Sequence, residues 1–250
     1  MVALCCRSCL PARAGSCAKH HEKTVNGEIN NMPKKYGWEE YLVIESDFIQ
    51  ARKFLAFDRQ SNLDADSPFL HNEIVLLGSK VETAMKVLIK SGIDKEVIVK
   101  SISDYKALLL VMAPDIEKYQ VTIVGSDASP IRPFEGWSSS SLSWWSAYSE
   151  IKHGSSSRLP KLEHGLNLLA AFEILLHLIH VIEAKNRNEF HVVYGLSELP
   201  KLLNLGFDGI WVLDRERPFL FGYEVSNYNL CKDMAAIKAM AQLLKSEKKD

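Results

Sequence analysis

The sequence predicts a mainly α protein: a helical bundle of four to five helices with a small β-hairpin and a C-terminal helix appended. Two observations predict this fold class. Apolar residues recur every three or four positions over most of the chain, which is the period of an amphipathic helix. The segment Leu162–Ala184 is apolar in almost every direction, as expected of the central helix of a bundle. The core residues expected on that helix are Leu166, Leu169, Phe172, Leu176 and Ile179.

Three helices are predicted in the first half of the body. Their bounds are Glu39–Gln60, Ser67–Lys90 and Tyr105–Met112. The second helix begins at Ser67 or Pro68, because serine caps a helix and proline fits its first turn, and Gly92 ends it. Ser103 is the expected cap of the third helix, and Pro114 ends or bends it.

The next segment contains a short strand, a long loop and an aromatic helix. Tyr119–Val124 is β-branched and short, which predicts a strand. A loop as long as 125–141 usually has a function or links two parts of a chain. The helix Ser143–His153 follows, with aromatic residues along one face and Gly154 at its end.

The C-terminal part changes character. It predicts a β-hairpin and a final helix over Gly209–Leu213, Phe219–Val225 and Lys232–Lys245. The charged residues of the hairpin turn are expected to be solvated. The domain organisation predicted from these elements is a disordered leader over 1–35, a helical bundle over 36–188, and the hairpin with the terminal helix over 189–250.

Composition limits the functions that are open to this chain. Its 250 residues are 47% hydrophobic and 24% charged, and its net charge is -1. That balance excludes a broadly electropositive nucleic-acid surface, although not a local basic patch. The leader carries six basic and two acidic residues, so its charge is +4 and that of the remainder is -5.

The leader also holds most of the cysteines. Its possible metal ligands are Cys5, Cys6, Cys9, Cys17, His20 and His21. Their spacing does not match a zinc knuckle, so we expect an unstructured leader or a transit peptide, and no structural zinc. The body contains only Cys231, which predicts a reducing, cytoplasmic compartment and no disulfide framework.

The apolar segment Leu162–Ala184 carries a polar group of its own. It is about long enough to cross a bilayer, but its ionisable residues argue against a membrane span. Glu173, His177 and His180 lie in one narrow wedge of the helix, within reach of a single zinc or iron ion. No partner Glu-x-x-His motif accompanies them, so a polar seam or an exposed stripe is the favoured interpretation and no cofactor is expected.

An aromatic motif carries the one family resemblance. It reads Pro133-Phe134-x-x-Trp137, then Ser143-Trp144-Trp145-x-x-Tyr148-x-x-Ile151-Lys152-His153, then a Leu/Ala-rich helix that contains Asn167. This stretch, roughly 130–183, resembles bacterial helical proteins of the HEPN-like superfamily. The resemblance implies a helical bundle that is often dimeric, and in many members a metal-independent ribonuclease of toxin or phage-defence systems.

The candidate catalytic residues are Lys152, His153, Arg158 and His164. The family signature is an arginine, four to six residues, and a histidine, usually with a polar residue directly after the arginine. Arg158 and His164 have that spacing, but Leu159 follows the arginine; the pair Arg187 and His191 is one residue too close.

The chemistry of RNA cleavage suits these residue types. A histidine has a pKa near neutrality and moves the proton of the attacking 2′-hydroxyl, and an arginine stabilises the charged phosphorane. The alternative is that Lys152 and His153 only cap their helix and that Arg158 is a solvated loop residue. The tryptophans of the motif could likewise stack on bases, but at helical spacing they are expected to be core residues.

Three functions are therefore expected from the sequence. The first is a HEPN-like protein that acts on RNA. The second is a non-catalytic, dimeric interaction or sensor module, and the third is a metal-binding protein that uses Glu173, His177 and His180. RNA and a second copy of the chain are the expected partners, whereas DNA and a membrane are not.

Overall fold

The computed structural model describes part of the chain. The described residues are 36–57, 60–93, 97–154, 160–186, 192–196, 200–205 and 221–224, with Ala239 and Gln242. Contacts divide the chain into Met1–Lys34 and Lys35–Asp250, and all described residues belong to the second unit. The cysteine-rich leader, Arg158, the pair Arg187 and His191 and the predicted strand 209–213 lie outside the described residues. Of the predicted final helix, only Ala239 and Gln242 are described, and both are helical.

The mainly α prediction is confirmed. The helices are α1 Trp38–Arg52, α2 Pro68–Gly92, α3 Ile102–Met112, α4 Ser143–Lys152 and α5 Leu162–Asn186. The strands are β1 Val121–Ile123, β2 Val192–Leu196, β3 Leu203–Leu205 and β4 Phe221–Glu224. Single 3-10 turns lie at Gln60–Asn62 and Ile116–Lys118.

Helix α5 forms the centre of the bundle, as predicted. Helix α2 makes the most extensive contact with it, and α1 and α4 also pack against it. Every side chain from Leu168 to Ile182 is buried, and the five core residues expected on this helix are at most 2% exposed. Leu162–Glu183 has the length and composition of a membrane span, but 94% of that window is buried inside the protein. Its apolar surface is therefore covered by the other helices.

The first helix is shorter than predicted. It ends at Arg52 instead of Gln60, and the chain turns so that Phe57 packs against Phe48 with ring centroids 6.3 Å apart. Nine residues of continuous helix would place Phe57 on the face opposite Phe48, so the burial of both rings requires the helix to stop. The Asn62 side chain donates a hydrogen bond to the Ala56 carbonyl at 2.8 Å and closes the turn.

The caps of α2 and α3 differ in how well the sequence predicted them. Ser67 accepts the Leu70 N–H at 3.1 Å, as expected. The prediction that Ser103 caps α3 is wrong, because Ser101 is the cap and the helix begins at Ile102. Ser101 Oγ accepts the Asp104 N–H, and the Asp104 carboxylate accepts the Ser101 N–H at 3.0 Å. This reciprocal capping box satisfies two donors, which Ser103 could not do.

Two small antiparallel pairs complete the described fold. Strand β1 pairs with β3, with Val121 opposite Leu205 and Ile123 opposite Leu203. Strand β4 falls within the predicted Phe219–Val225 strand, but the partner described for it is β2, which the sequence did not predict. The β1–β3 pair joins a strand of the predicted bundle to a strand of the predicted C-terminal appendage.

Candidate functional site

Lys152 belongs to a cluster of charged and phenolic groups between α2, α3 and α4. Its Nζ lies 2.9 Å from Glu82 Oε2, and the Tyr148 hydroxyl donates to the same oxygen at 3.2 Å. Lys86 holds the second carboxylate oxygen of Glu82 at 2.7 Å, and Tyr105 interacts with Lys86. We call Glu82, Lys86, Tyr105, Tyr148 and Lys152 the lysine–tyrosine cluster.

The protonation states of this cluster are fixed by its ion pairs. Partial burial acts to raise the pKa of Glu82, but hydrogen bonds from Lys86 and Lys152 outweigh it and lower that pKa to about 2. The hydrogen bond to Glu82 in turn raises the pKa of Lys152. Lys152 therefore remains a cation at neutral pH, and it cannot serve there as a general base.

His153 follows Lys152 at the C-terminal cap of α4. Its N–H bonds to the Ser149 carbonyl at 3.1 Å, and its side chain is exposed. Gly154 has a φ of 66°, as expected of the glycine that ends a helix. The position predicted for Lys152 and His153 at the end of their helix is confirmed, and the exposed His153 directly follows Lys152 of the lysine–tyrosine cluster.

His164 lies in the first turn of α5, half-buried. Its Nδ1 accepts the Lys161 N–H at 3.4 Å, so the proton of the neutral ring is on Nε2. Burial lowers the pKa of His164, and Glu163 and Glu150 act in the opposite direction. Because Glu150 belongs to α4, the end of α4 and the start of α5 are close enough to interact. Arg158, between them, is outside the described residues.

The polar wedge of α5 is completely buried. Glu173, His177 and His180 are each 0% exposed. Of the two interpretations of this wedge, the exposed stripe is therefore wrong and the buried polar seam is correct. His177 Nδ1 donates to the Glu173 carbonyl at 2.8 Å, and His180 Nε2 donates to the Tyr36 carbonyl at 3.0 Å. No group of three histidine, cysteine, aspartate or glutamate side chains in the described ranges is arranged to hold a metal ion.

A buried carboxylate on α1 was not anticipated from the sequence. Glu45 is 1% exposed and accepts the N–H groups of Lys201, Leu202 and Leu203 at 2.8–3.2 Å. The Tyr41 hydroxyl lies 3.4 Å from Glu45 Oε1 and 3.3 Å from Glu173 Oε2, so it links the two carboxyl groups. The i, i+4 spacing of Tyr41 and Glu45 indicates only weakly that the two side chains interact. Their other partners, Glu173 and the 201–203 backbone, are more than 130 residues away in the sequence.

The electrostatics of this network follow from its burial. Desolvation, and next the charge of Glu45, raise the pKa of Glu173 to about 8. Burial lowers the pKa of His177 to about 4. At neutral pH Glu173 is therefore mostly protonated and His177 is neutral, which is how a core accommodates ionisable groups without unpaired charge.

A cleft of about 670 Å³ opens beside this core. Its walls come from Phe57, Gln60 and Leu63, from Ile123 and the 127–135 part of the long loop, from the start of α4 and from the first turns of α5. Four apolar residues also border the cleft but are each at most 5% exposed: Phe57, Leu142, Trp144 and Leu166. The Trp144 indole N–H donates to the Pro133 carbonyl at 2.6 Å and holds the loop against α4. The long loop, predicted to have a function or to be a linker, is thus one wall of this cleft.

Carboxylates dominate the rim of the cleft. Asp127, Glu135 and Glu163 are exposed there, and Arg132 is the one basic residue among the described lining residues. Arg132 is engaged by Gln120 at 3.0 Å and by Glu135 at 3.6 Å. The rim therefore favours cations and hydrogen-bond donors, and it disfavours phosphate.

Comparison of the chain with protein-family models, curated proteins and solved structures gives no match.

Proposed function

We propose that this protein is a non-catalytic binding module whose ligand occupies the cleft. The observation that carries the proposal is the cleft itself. Its volume of about 670 Å³ is within the range of ligand sites, and its exposed lining is mainly polar. The Asn167 side chain, held at 2.9 Å to the Glu163 carbonyl, and the hydroxyls of Ser141 and Ser143 supply orienting hydrogen bonds.

The described candidate catalytic residues support binding over catalysis at this cleft. Lys152, His153 and His164 are not among its lining residues. Lys152 is a paired cation, and the carboxylates at the rim oppose an RNA backbone. A binding role needs only the polar groups that line the cleft.

Fluorine NMR on 5-fluorotryptophan-labelled protein tests this proposal. The five tryptophans give separate signals, and Trp144→Phe identifies the one at the cleft. In a screen of small amines, acids and neutral fragments, binders should shift the Trp144 signal. Asn167→Phe, which fills the cleft, should abolish the shifts, whereas Ser79→Phe on the exposed face of α2 should leave them. Shifts that survive Asn167→Phe, or that fall on other tryptophans, would contradict the proposal.

Action on RNA is a second candidate, and the surface formed by the lysine–tyrosine cluster and Trp145 favours it separately. Lys86 and Lys152 outnumber Glu82, and the partly exposed Trp145 lies 5.5 Å from Tyr148, between ring centroids. With the exposed His153, this forms a small cationic and aromatic surface of the kind that binds single strands. The resemblance to HEPN-like proteins points to the same substrate class and to a dimer.

Incubation of the purified protein with total RNA tests the second candidate. Cleavage, or retention of RNA at low salt, should be lost in His153→Ala, Arg158→Ala and His164→Ala. Lys118→Ala, at an exposed lysine of the 3-10 turn, is the matched control and should behave like the wild type. Light scattering of the same sample gives the number of copies. Intact RNA and no retention would eliminate this function.

A further inference from the structure

We propose that the buried polar seam of α5 is a proton-controlled latch. A proton on Glu173 holds the segment 201–205 against α1 and α5, and loss of that proton loosens the segment together with the cleft wall that it supports. The latch stands on the geometry of the seam. Its consequence for binding rests on the proposed function, because it regulates the same cleft.

The hydroxyl of Tyr41 has two carboxyl neighbours and only one proton to donate. It lies 3.3 Å from Glu173 Oε2 and 3.4 Å from Glu45 Oε1. Glu45 also accepts the N–H groups of 201–203, and such donors favour a charged acceptor, so Glu45 is the carboxylate that receives the phenol proton. The contact between Tyr41 and Glu173 is then a hydrogen bond only when Glu173 is protonated and donates.

Loss of the Glu173 proton would place two negative charges beside one phenol oxygen in the core. The groups that act on Glu173 or share its seam are Tyr41 and Glu45 of α1, the Leu205 N–H of β3, and His177 and His180 of α5. Helices α2 and α4, which also pack on α5, add no group that shifts the pKa of Glu173 among the described residues. Desolvation, and next the charge of Glu45, raise that pKa to about 8. None of the groups that act on this pKa is a cation, so water must reach Glu173 once it ionises.

The segment 201–205 is the part of the seam that can open with least loss of structure. Strand β3 is three residues long, whereas α1 and α5 are helices of 15 and 25 residues. Segments with few internal bonds open locally at a lower free energy than the helices of a core. We therefore expect ionisation of Glu173 to release β3 and leave the helices in place.

Release of β3 reaches the cleft through β1. The Val124 N–H donates to the Leu202 carbonyl at 2.8 Å, so β3 supports the end of β1. Strand β1 in turn holds the long loop, because Val121 and Ile131 exchange backbone hydrogen bonds at 2.8–2.9 Å. Ile123 and Ile131 both line the cleft. Opening of the segment 201–205 therefore removes the support of this wall.

Amide hydrogen exchange of the full chain from pH 5 to 8, corrected for the intrinsic rate, tests the latch. One linked proton should lower the protection of Leu202, Leu203 and Leu205 about tenfold per pH unit. Local opening ionises Glu173 and leaves His177 buried. Amides of α2 that exchange by global unfolding should therefore stay level from pH 5 to 6.5, where these two groups have opposite effects on stability.

Glu173→Gln should make the protection of 202–205 independent of pH, since its amide still donates to Tyr41 and cannot ionise. Glu73→Gln is the matched control, because Glu73 is also a buried glutamate whose pKa burial raises, but it lies on α2. This control should keep the wild-type pH dependence. The latch is overturned if Glu173→Gln keeps the slope, or if the α2 amides show the slope of 202–205 between pH 5 and 6.5.

Carbon-13 NMR of glutamate-labelled wild type gives a test that needs no variant, in case Glu173→Gln does not fold. One glutamate carboxyl signal should titrate near pH 8. Titration of every glutamate below pH 6 would overturn the latch.

The link to the cleft has its own readout. The Val121 and Ile131 amides should lose protection with the same pH dependence as 202–205, and unchanged protection there would overturn the control of the cleft. The fluorotryptophan screen decides the binding function separately. If no fragment shifts the Trp144 signal while 202–205 shows the slope, the binding function fails and the latch stands. If fragments shift that signal while exchange is independent of pH, the latch fails and the binding function stands.

Discussion

Gly78 sets the closeness of α2 and α4. A Cβ built on this residue would overlap the ring of Tyr148, whose hydroxyl binds Glu82. We expect Gly78→Ala to lower the free energy of unfolding by about 1–3 kcal/mol, since an overpacked core must shift backbone or ring. Urea denaturation measures the loss. Ser79→Ala, on the exposed side of the same turn, should be neutral or slightly stabilising. Equal stability of Gly78→Ala and wild type would show that the helices can separate at no cost.

Glu82 stabilises the bundle in a pH-dependent way. Its pKa is about 2 in the folded protein and near 4.5 when unfolded, so its contribution is present above pH 4.5 and lost as the pH falls toward 2. Glu82→Gln should therefore lower the free energy of unfolding by about 1 kcal/mol at pH 7, seen as a lower melting temperature. It should have little effect near pH 2.5. Glu40→Gln, which removes the more exposed Lys80 pair, should change little at either pH. A constant difference across pH would contradict the assignment.

At the scale of single residues, the sequence predicts burial better than partners. Of the aromatic residues predicted as core, Trp137, Trp144 and Tyr148 are at most 2% exposed, whereas Trp145 is only partly buried. Gly78 gave no signal, because a close helix contact depends on which side chain faces the glycine. The polar wedge of α5 was located correctly, but its complete burial depends on carbonyls and hydroxyls that other elements supply.

At the scale of elements, Glu45 attaches β3 to α1. Its carboxylate is 1% exposed and accepts three successive backbone N–H groups, from Lys201 to Leu203, and the bonds from Leu202 and Leu203 are buried. We expect Glu45→Gln to cost about 3 kcal/mol, because an amide accepts fewer of these bonds and adds buried donors. Hydrogen exchange should show the loss first at Leu202 and Leu203. Ser46→Ala, at the exposed neighbouring position, is the control, and unchanged protection in Glu45→Gln would refute the role of this carboxylate.

The bounds of elements were predictable where the signal is local. The Ser67 cap followed by Pro68, and Gly92 as an end, lie within a few residues of what they determine. The end of α1 was not predictable, because the apolar period continues past Arg52 and the burial of Phe57 is a tertiary effect. The partner of β4 was missed for the same reason, since strand pairing joins distant segments.

At the scale of the whole molecule, the fold class was predictable and the cleft was not. A helix as apolar as α5 has few places other than the centre of a bundle, so composition and period were sufficient. The cleft is built from four separated segments, and only its long loop attracted attention in the sequence. No periodicity or motif indicates that Phe57, Asp127, Trp144 and Glu163 border one space.

Two buried groups of the core give the whole molecule opposing dependences on pH. Glu173 has a folded pKa of about 8, raised from 4.5, so it binds more protons when folded and its stabilisation is lost as pH rises from 4.5 through 8. His177 has a folded pKa of about 4, lowered from 6.5, so stability is lost as pH falls from 6.5 through 4. The two slopes offset each other between pH 4.5 and 6.5, and stability should be greatest there.

Each slope can be removed alone, which makes this pH profile a test of the buried network. In thermal melting across pH 4–9, the stability of Glu173→Gln should rise from pH 4 to 6.5 and then stay level. At pH 8.5 this variant should be more stable than the wild type by more than about 1 kcal/mol. His177→Gln keeps a donor for the Glu173 carbonyl and should instead fall steadily from pH 4.5 to 8. If both variants kept the wild-type profile, other groups would control the pH dependence. If each variant loses only the part of the pH profile that its residue is expected to cause, burial holds Glu173 and His177 in their neutral forms. The bundle then tolerates these groups because folding shifts their pKa values until neither carries a charge at neutral pH.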